Sequence, residues 1–286
     1  MSAIEATVDT RARGRWATPS FARLGFGGRL GLALFALLVL LAAAAPLIAG
    51  DPTAPVAAPF AGPSASLPLG ADDIGQDVFA RILFGLRTSL LAAVVVIASG
   101  VLIGGTIGLV AGTLGGRVDA LLMRLTDVFL ALPGPILAIA IVAALGPSLR
   151  NTVLAVALVW WPWYARLMRN EVRALVVRPH IDAARLAGTS TARIMRRHLL
   201  PGTLAPIVVA ASLDVQVLVL VLAGLSFLGL GSPPPAPELG AMAARGADYL
   251  VGNPLIPLAP GAAVFLVAFA ANLAGDAVRD LMGRRS

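Results

Sequence analysis

An all-α integral membrane protein with six transmembrane helices is the fold class that this sequence predicts, on three observations. Hydrophobic residues make up 58% of its 286 residues and charged residues only 13%; with a mean hydropathy of +0.88, the chain is too apolar for a soluble domain. Six apolar stretches stand apart, separated by charged or Pro- and Gly-rich segments. All 22 basic residues are arginine, and when the stretches are counted as crossings 18 fall on one side and 4 on the other.

The same composition closes several functional classes. Without cysteine there are no disulfides, thiolate metal sites or thiol nucleophiles. Without lysine there is no phosphate-binding loop of the Gly-x-x-x-x-Gly-Lys-Ser/Thr kind and no Schiff-base amine, so any ATP the protein works with is hydrolysed by another chain. A net charge of +7 can attract nucleic acid, but basic residues flanking apolar spans read more simply as topology signals, and no nucleic-acid partner is expected. His180 and His198 lie in a charged, solvated stretch and are not expected to bind metal. No catalytic constellation and no bound cofactor is predicted for this chain.

Taken in order, residues 1–29 form a basic cytoplasmic N-terminus. Residues 30–49 carry no charge and, at about 20 residues, suffice for one crossing, a first transmembrane anchor. A secretory signal is the rival reading, given the small residues at 42–45; the long basic region and the length of the apolar run favour a retained anchor. Residues 50–88 read as an extracytoplasmic loop, Pro- and Ala-rich at first, then an interfacial helix capped by Asp72 or Asp73 and carrying an Asp77–Arg81 pair. The second span, about 89–112, sets Gly100, Gly104, Gly108 and Gly112 four residues apart, a nearly straight row where another helix of the chain can come close.

The third span, about 121–145, is predicted to kink at Pro133 and Pro135. In the fourth only 14 residues separate Asn151 from Arg166, short of the ~20 of a full crossing. Either Arg150 snorkels or the helix stops short of the outer face. Trp160, Trp161, Trp163 and Tyr164 around Pro162 read as an interfacial aromatic belt. The fifth span, 204–231, holds Asp214 and Gln216; an intramembrane carboxylate is a functional candidate, with a hydrogen-bonded structural role as its alternative. Residues 232–237 end that helix and open an outer loop, and the sixth span covers 254–275.

The rest of the chain is arranged around a charged break at 178–201, which reads as helix, elbow, helix. Pro179 suits a first helical turn, Gly188 interrupts the run, Ser190 can cap a second helix and Pro201 ends it. Small side chains at Ala183, Ala184 and Ala187 let another protein come close, and Arg185, Arg193, Arg196 and Arg197 surround the contact with positive charge. The stretch is therefore a docking element, and the arginine distribution puts it and both termini in the cytoplasm.

These residues resemble the inner-membrane permease subunits of ATP-binding cassette (ABC) importers, specifically the dipeptide, oligopeptide and nickel group. Asp182-Ala183-Ala184, then Gly188, then Leu200-Pro201 match that family's EAA motif in residue type and spacing, with Asp182 where Glu is usual. Segments 67–77, 226–231 and 272–280 are also similar, although Ala71, Gln76 and Leu239 stand where Thr, Arg and Trp are usual.

The resemblance implies a fold: the N-terminal anchor helix plus a five-helix type I importer core over 89–280, with a coupling loop at 169–203 and a cytoplasmic tail at 281–286. It implies a multi-pass protein of the bacterial plasma (inner) membrane, surrounded by lipid and forming half of a translocation path for di- or oligopeptides. The implied partners are a homologous second permease in a heterodimer, two cytoplasmic ATPase subunits that use ATP and Mg, and an extracytoplasmic solute-binding protein. Asp182, Ala183, Ala184, Gly188, Leu200 and Pro201 are the ATPase-coupling residues it implies. A self-contained secondary transporter or channel driven by ion gradients is the competing class. Its signature is a cluster of ionisable residues at mid-membrane depth, often with an inverted repeat; Asp214 and Gln216 have no second partner at matching depth and the two halves show no repeat.

Overall fold

The computed structural model describes residues 24–283; most of the predicted basic N-terminus, and the end of the predicted tail, lie outside the described residues. Among the described residues the chain is all helix and loop, with two isolated bridges and no strand. Four helical runs are long and apolar enough to cross a membrane: α1 (Phe26–Ile48), α2 (Val78–Leu114), the run Thr191–Phe227 that contains α7 (Thr191–Ile194) and α8 (Leu200–Phe227), and α10 (Leu255–Gly283). A fifth is the bent pair α3 (Gly116–Leu130) and α4 (Gly134–Leu145), which meet at 77°. Helix α5 (Leu149–Val176) is less apolar because Arg150 and Arg166 close in on its hydrophobic middle. Its 28 residues still extend about 42 Å at 1.5 Å per residue. Two short helices complete the set, α6 (Pro179–Leu186) and α9 (Leu239–Gly246).

Local chemistry moves several boundaries away from the sequence reading. The interfacial helix expected before residue 89 is the first part of α2: no proline interrupts residues 78–114 and the helix runs straight on. Asp77 caps it by accepting from the Phe79 N–H at 2.8 Å. Asp72, expected as that cap, instead closes the preceding turn by accepting from the backbone N–H groups of Ile74 and Gln76, and Arg81 pairs with Asp72 rather than with Asp77. At Pro133 the helix breaks outright instead of kinking, because a proline N-cap with extended ψ leaves the α3 direction and starts α4 anew. Helix α8 ends at Phe227, ahead of the Pro-rich segment. There Gly229 (φ +82°) donates to the Ser226 carbonyl and Leu230 to the Leu225 carbonyl, a Schellman stop that needs a left-handed residue.

The row of glycines in α2 faces α5, and the two helices run parallel. A Cβ on Gly100 would lie 2.8 Å from Tyr164 Cδ2, and one on Gly112 would lie 2.8 Å from Val172 Cγ1. At Gly104 and Gly108 it would strike the carbonyl oxygens of Trp161 and Ala165. Backbone meets backbone there, and dispersion across the close contact replaces side-chain interdigitation. Helix α1 lies on α10 through Gly31, seated against Leu273 and Ala274. The core divides in two: a larger cluster around Leu86, Val96, Val156 and Leu222, and a smaller one toward the C-terminal end of α5.

At the opposite end, Arg81 ties the long loop to the bundle. Only 1% exposed, its guanidinium donates to the carbonyls of Pro52 (3.1 Å) and Pro235 (3.2 Å) and to Gln76 Oε1, and lies 3.5 Å from the Asp72 carboxylate. Buried Glu238 likewise accepts from Ser226 Oγ and, at 2.7 Å, from the Ser232 N–H, pinning α9 to the end of α8. Tyr249 reaches Asp73 at 3.4 Å, and that carboxylate pushes the phenol above its ordinary range.

Candidate functional site

The elbow is built from locally determined pieces. Arg178 is extended (φ −78°, ψ 142°) and Pro179 takes the first helical position of α6, where a missing N–H costs nothing. Asp182 sits in the first turn, favourably placed in the helix dipole. It accepts from Arg185 Nη1 at 3.1 Å, and with both side chains about half exposed this is a surface pair of small worth. The helix stops in a second Schellman arrangement: the Gly188 N–H donates to the Arg185 carbonyl and Thr189 to Ala184, with Gly188 at φ +77°. A Cβ on Gly188 would meet nothing within 4 Å, so the space above it is open.

Beyond the elbow, Ser190 occupies the N-cap position of α7 without a side-chain cap bond. The chain then makes a π turn over Met195–Leu199, closed by the Leu200 N–H on the Met195 carbonyl, and passes directly into α8. Pro201, expected to end the second helix, therefore lies inside a continuous helical run. The wider turn just before it relieves the clash its ring would otherwise make with a carbonyl, and Pro201 has no N–H to lose.

One side chain anchors α6. Ile181 is completely buried in the smaller core cluster, with Tyr164, Met168 and Val172 of α5, Ile194 and Leu199 beside the π turn, and Ile207 of α8. The rest of α6 is turned outward: Asp182, Ala183 and Gly188 are exposed, Ala184 is partly covered, and Leu186 is 90% exposed. Leu200 and Pro201 are exposed on α8, across the π turn from the other motif residues. Ions hold the α5 shaft that leads to the elbow. The Arg169 Nε and Nη2 donate to Asp119 Oδ1 and Oδ2 at 2.5 and 2.6 Å, Arg173 adds a bond at 3.2 Å, and Arg166 meets Asp127 at 2.5 Å. These pairings were not expected from the sequence. Their trace was present in the spacing of Asp119 and Asp127 on α3 and of Arg166, Arg169 and Arg173 on α5, and in one isoleucine inside a charged run.

Within the bundle, Asp214 Oδ2 accepts from Trp160 Nε1 at 2.9 Å. The carboxylate lines a cavity between α5, α8 and the α3–α4 break. His180 and His198 lie near one another, 6.1 Å between ring centres, and no group of three or more metal-ligating side chains is present among the described residues.

Comparison with known proteins places these features in context. A family profile described as "Binding-protein-dependent transport system inner membrane component" matches residues 104–286. The glutathione transport system permease protein GsiD of Pectobacterium atrosepticum is 42% identical over 221 residues, covering 77% of this chain and 73% of that protein. The dipeptide transport system permease protein DppC of Alkalihalophilus pseudofirmus is 39% identical over 255 residues, covering 88% and 84%. Among solved structures, a chain of the inward-facing MetNI methionine ABC transporter superposes with a TM-score of 0.57 at 22% identity, over 70% of this chain and 96% of that one, a likeness of fold.

Proposed function

This chain belongs to the family of binding-protein-dependent transport system inner membrane components, and on that premise we propose how it works as the permease subunit of an ATP-driven peptide importer in the bacterial inner membrane. The relatives named above serve glutathione and dipeptide transport systems, which supports a peptide-class solute. The chain supplies half of the translocation path, beside a homologous second permease. ATP and Mg are used by two separate ATPase subunits, in keeping with a sequence that has no lysine for a phosphate loop. A solute-binding protein delivers the peptide on the other face.

The observation that carries this reading is the elbow itself. Helix α6 is fastened to the bundle through buried Ile181 while the face with Asp182, Ala183, Leu186 and Gly188 stays open. Such a helix is free to seat in a cleft of an ATPase, with Ala184, Leu200 and Pro201 flanking the contact. Because Ile181 packs on α5 and α8 together, a push on α6 is felt by two helices of the bundle, and nucleotide-driven closure of the ATPases biases the path between inward and outward access. In this arrangement α5 crosses the membrane, completing six crossings, and the elbow and both termini are cytoplasmic. The 28-residue length of α5 and the 18 to 4 arginine distribution support that topology.

Purification through a tag on this chain is expected to recover both ATPases and the second permease, and proteoliposomes of that complex with the binding protein should take up peptide only with ATP. Recovery of the chain without ATPases, or solute movement by the purified chain alone, would overturn the proposal in favour of a secondary transporter.

A further inference from the structure

Where α3 breaks into α4, the bend leaves a cavity of about 280 Å³ whose walls include Phe129, Pro135, Val159, Trp160 and Trp163, and whose one charged group is the Asp214 carboxylate. Asp214 uses one oxygen to accept from Trp160. No arginine or histidine among the described residues forms an ion pair with it. The fully buried Tyr164 hydroxyl also neighbours this carboxylate, without making a well-formed hydrogen bond to it. A half-buried carboxylate within a membrane span is costly unless a cation neutralises it. Trp163, 52% exposed, lines the same cavity, and an indole face of this kind attracts a cation.

We propose that Asp214, with Trp160 and Trp163, forms a subsite on the translocation path that takes the α-ammonium group of the transported peptide, the apolar walls receiving its first side chain. The inference rests on the reading of the chain as a peptide permease. A bare inorganic cation fits poorly: the carboxylate is the one anionic group in the cavity, the walls are largely apolar, and the volume approaches the ~300 Å³ at which small-molecule pockets begin. The Trp160 indole N–H fixes one oxygen of the carboxylate, and the other, with Tyr164 as its neighbour, receives the incoming ammonium. The contact is then one charge-assisted bond plus an aromatic face, strong enough to orient a peptide and weak enough to release it.

The test uses the whole permease–ATPase complex in nanodiscs without binding protein, measuring equilibrium binding of L-alanyl-L-alanine and of its N-acetyl derivative. Wild type is expected to bind the free amine at least tenfold more tightly. Asp214→Asn should abolish the preference, Asp214→Glu should keep it, and Trp163→Leu, at an exposed position that leaves the core intact, should weaken it severalfold. Should Asp214→Asn fail to assemble, the Trp163→Leu and Asp214→Glu results decide. A wild-type complex without the preference, or an Asn or Leu variant that retains it fully, refutes the subsite while leaving the permease reading in place. A shift in Na⁺ dependence without any change in the preference refutes it too. Absence of ATP-driven uptake of dipeptides by wild type with its binding protein would instead overturn the permease reading itself.

Discussion

Replacing Gly188 by Ala, Asn and Arg separates two roles that the elbow glycine combines. At φ +77° an L-residue is strained, by about 1–2 kcal/mol for alanine and less for asparagine, whose short polar side chain eases the left-handed region. Beyond its two chain neighbours, nothing in this chain lies within 4 Å of the added Cβ, so each of the three side chains starts into open space. If Gly188 were only a helix stop, damage would follow strain, with alanine as harmful as arginine and asparagine mildest. If the open space receives an ATPase, damage follows bulk, in the order Arg, Asn, Ala. The assay is ATP-dependent uptake together with recovery of the ATPases on a tagged permease. The expected outcome is loss of coupling in Gly188→Arg with normal insertion and near-normal activity in Gly188→Ala. An arginine variant that transports normally, or a series ordered by strain, refutes the docking role.

Other consequences are equally direct. Leu186→Ser leaves permease stability unchanged because the side chain is already 90% exposed. If docking buries it, ATPase association weakens by roughly 10- to 150-fold, the ~1.5–3 kcal/mol of one buried leucine, in a titration of ATPase onto nanodisc-held permease. Gly104→Val should lower the thermal midpoint of the detergent-solubilised protein, since its Cβ strikes the Trp161 carbonyl and overpacking costs about 1–3 kcal/mol. Gly105→Ala, whose Cβ sits at an ordinary 3.5 Å from Met168 Cε, should not. Arg81→Met should cost about 3–5 kcal/mol by stranding buried Asp72 and freeing the carbonyls of Pro52 and Pro235. Limited proteolysis would register this as faster cleavage in residues 51–77, and unchanged protection would contradict the tie.

Much of the bundle was legible because it depends on local properties. Span length and hydropathy mark where a helix leaves water, and the four-residue spacing of Gly100, Gly104, Gly108 and Gly112 marks a smooth helix face whichever helix lies on it. Pro179 and Gly188 announce the start and stop of α6 because each fixes its own backbone angles. The misreadings arose where a local signal had several outlets. Asp72, Asp73 and Asp77 are all competent caps, and only the folded loop assigns Asp77 to α2. Pro201 reads as a helix stop, yet the chain passes from the π turn at Met195–Leu199 straight through it into α8.

Residue chemistry alone was enough to place this chain in a membrane, to mark most of its apolar spans and to fix the start and stop of α6, because hydropathy, charge and backbone preference belong to each residue alone. Which side chains meet was settled by the packing of the helices. The α3–α4 angle of 77°, the burial of Arg81, the grip of Asp119 on Arg169, and the placing of Asp214 against Trp160 beside an aromatic cavity all depend on the three-dimensional register of helices far apart in the chain. Pairwise contacts of that kind leave no local pattern, since each residue alone is compatible with many partners and packing selects one.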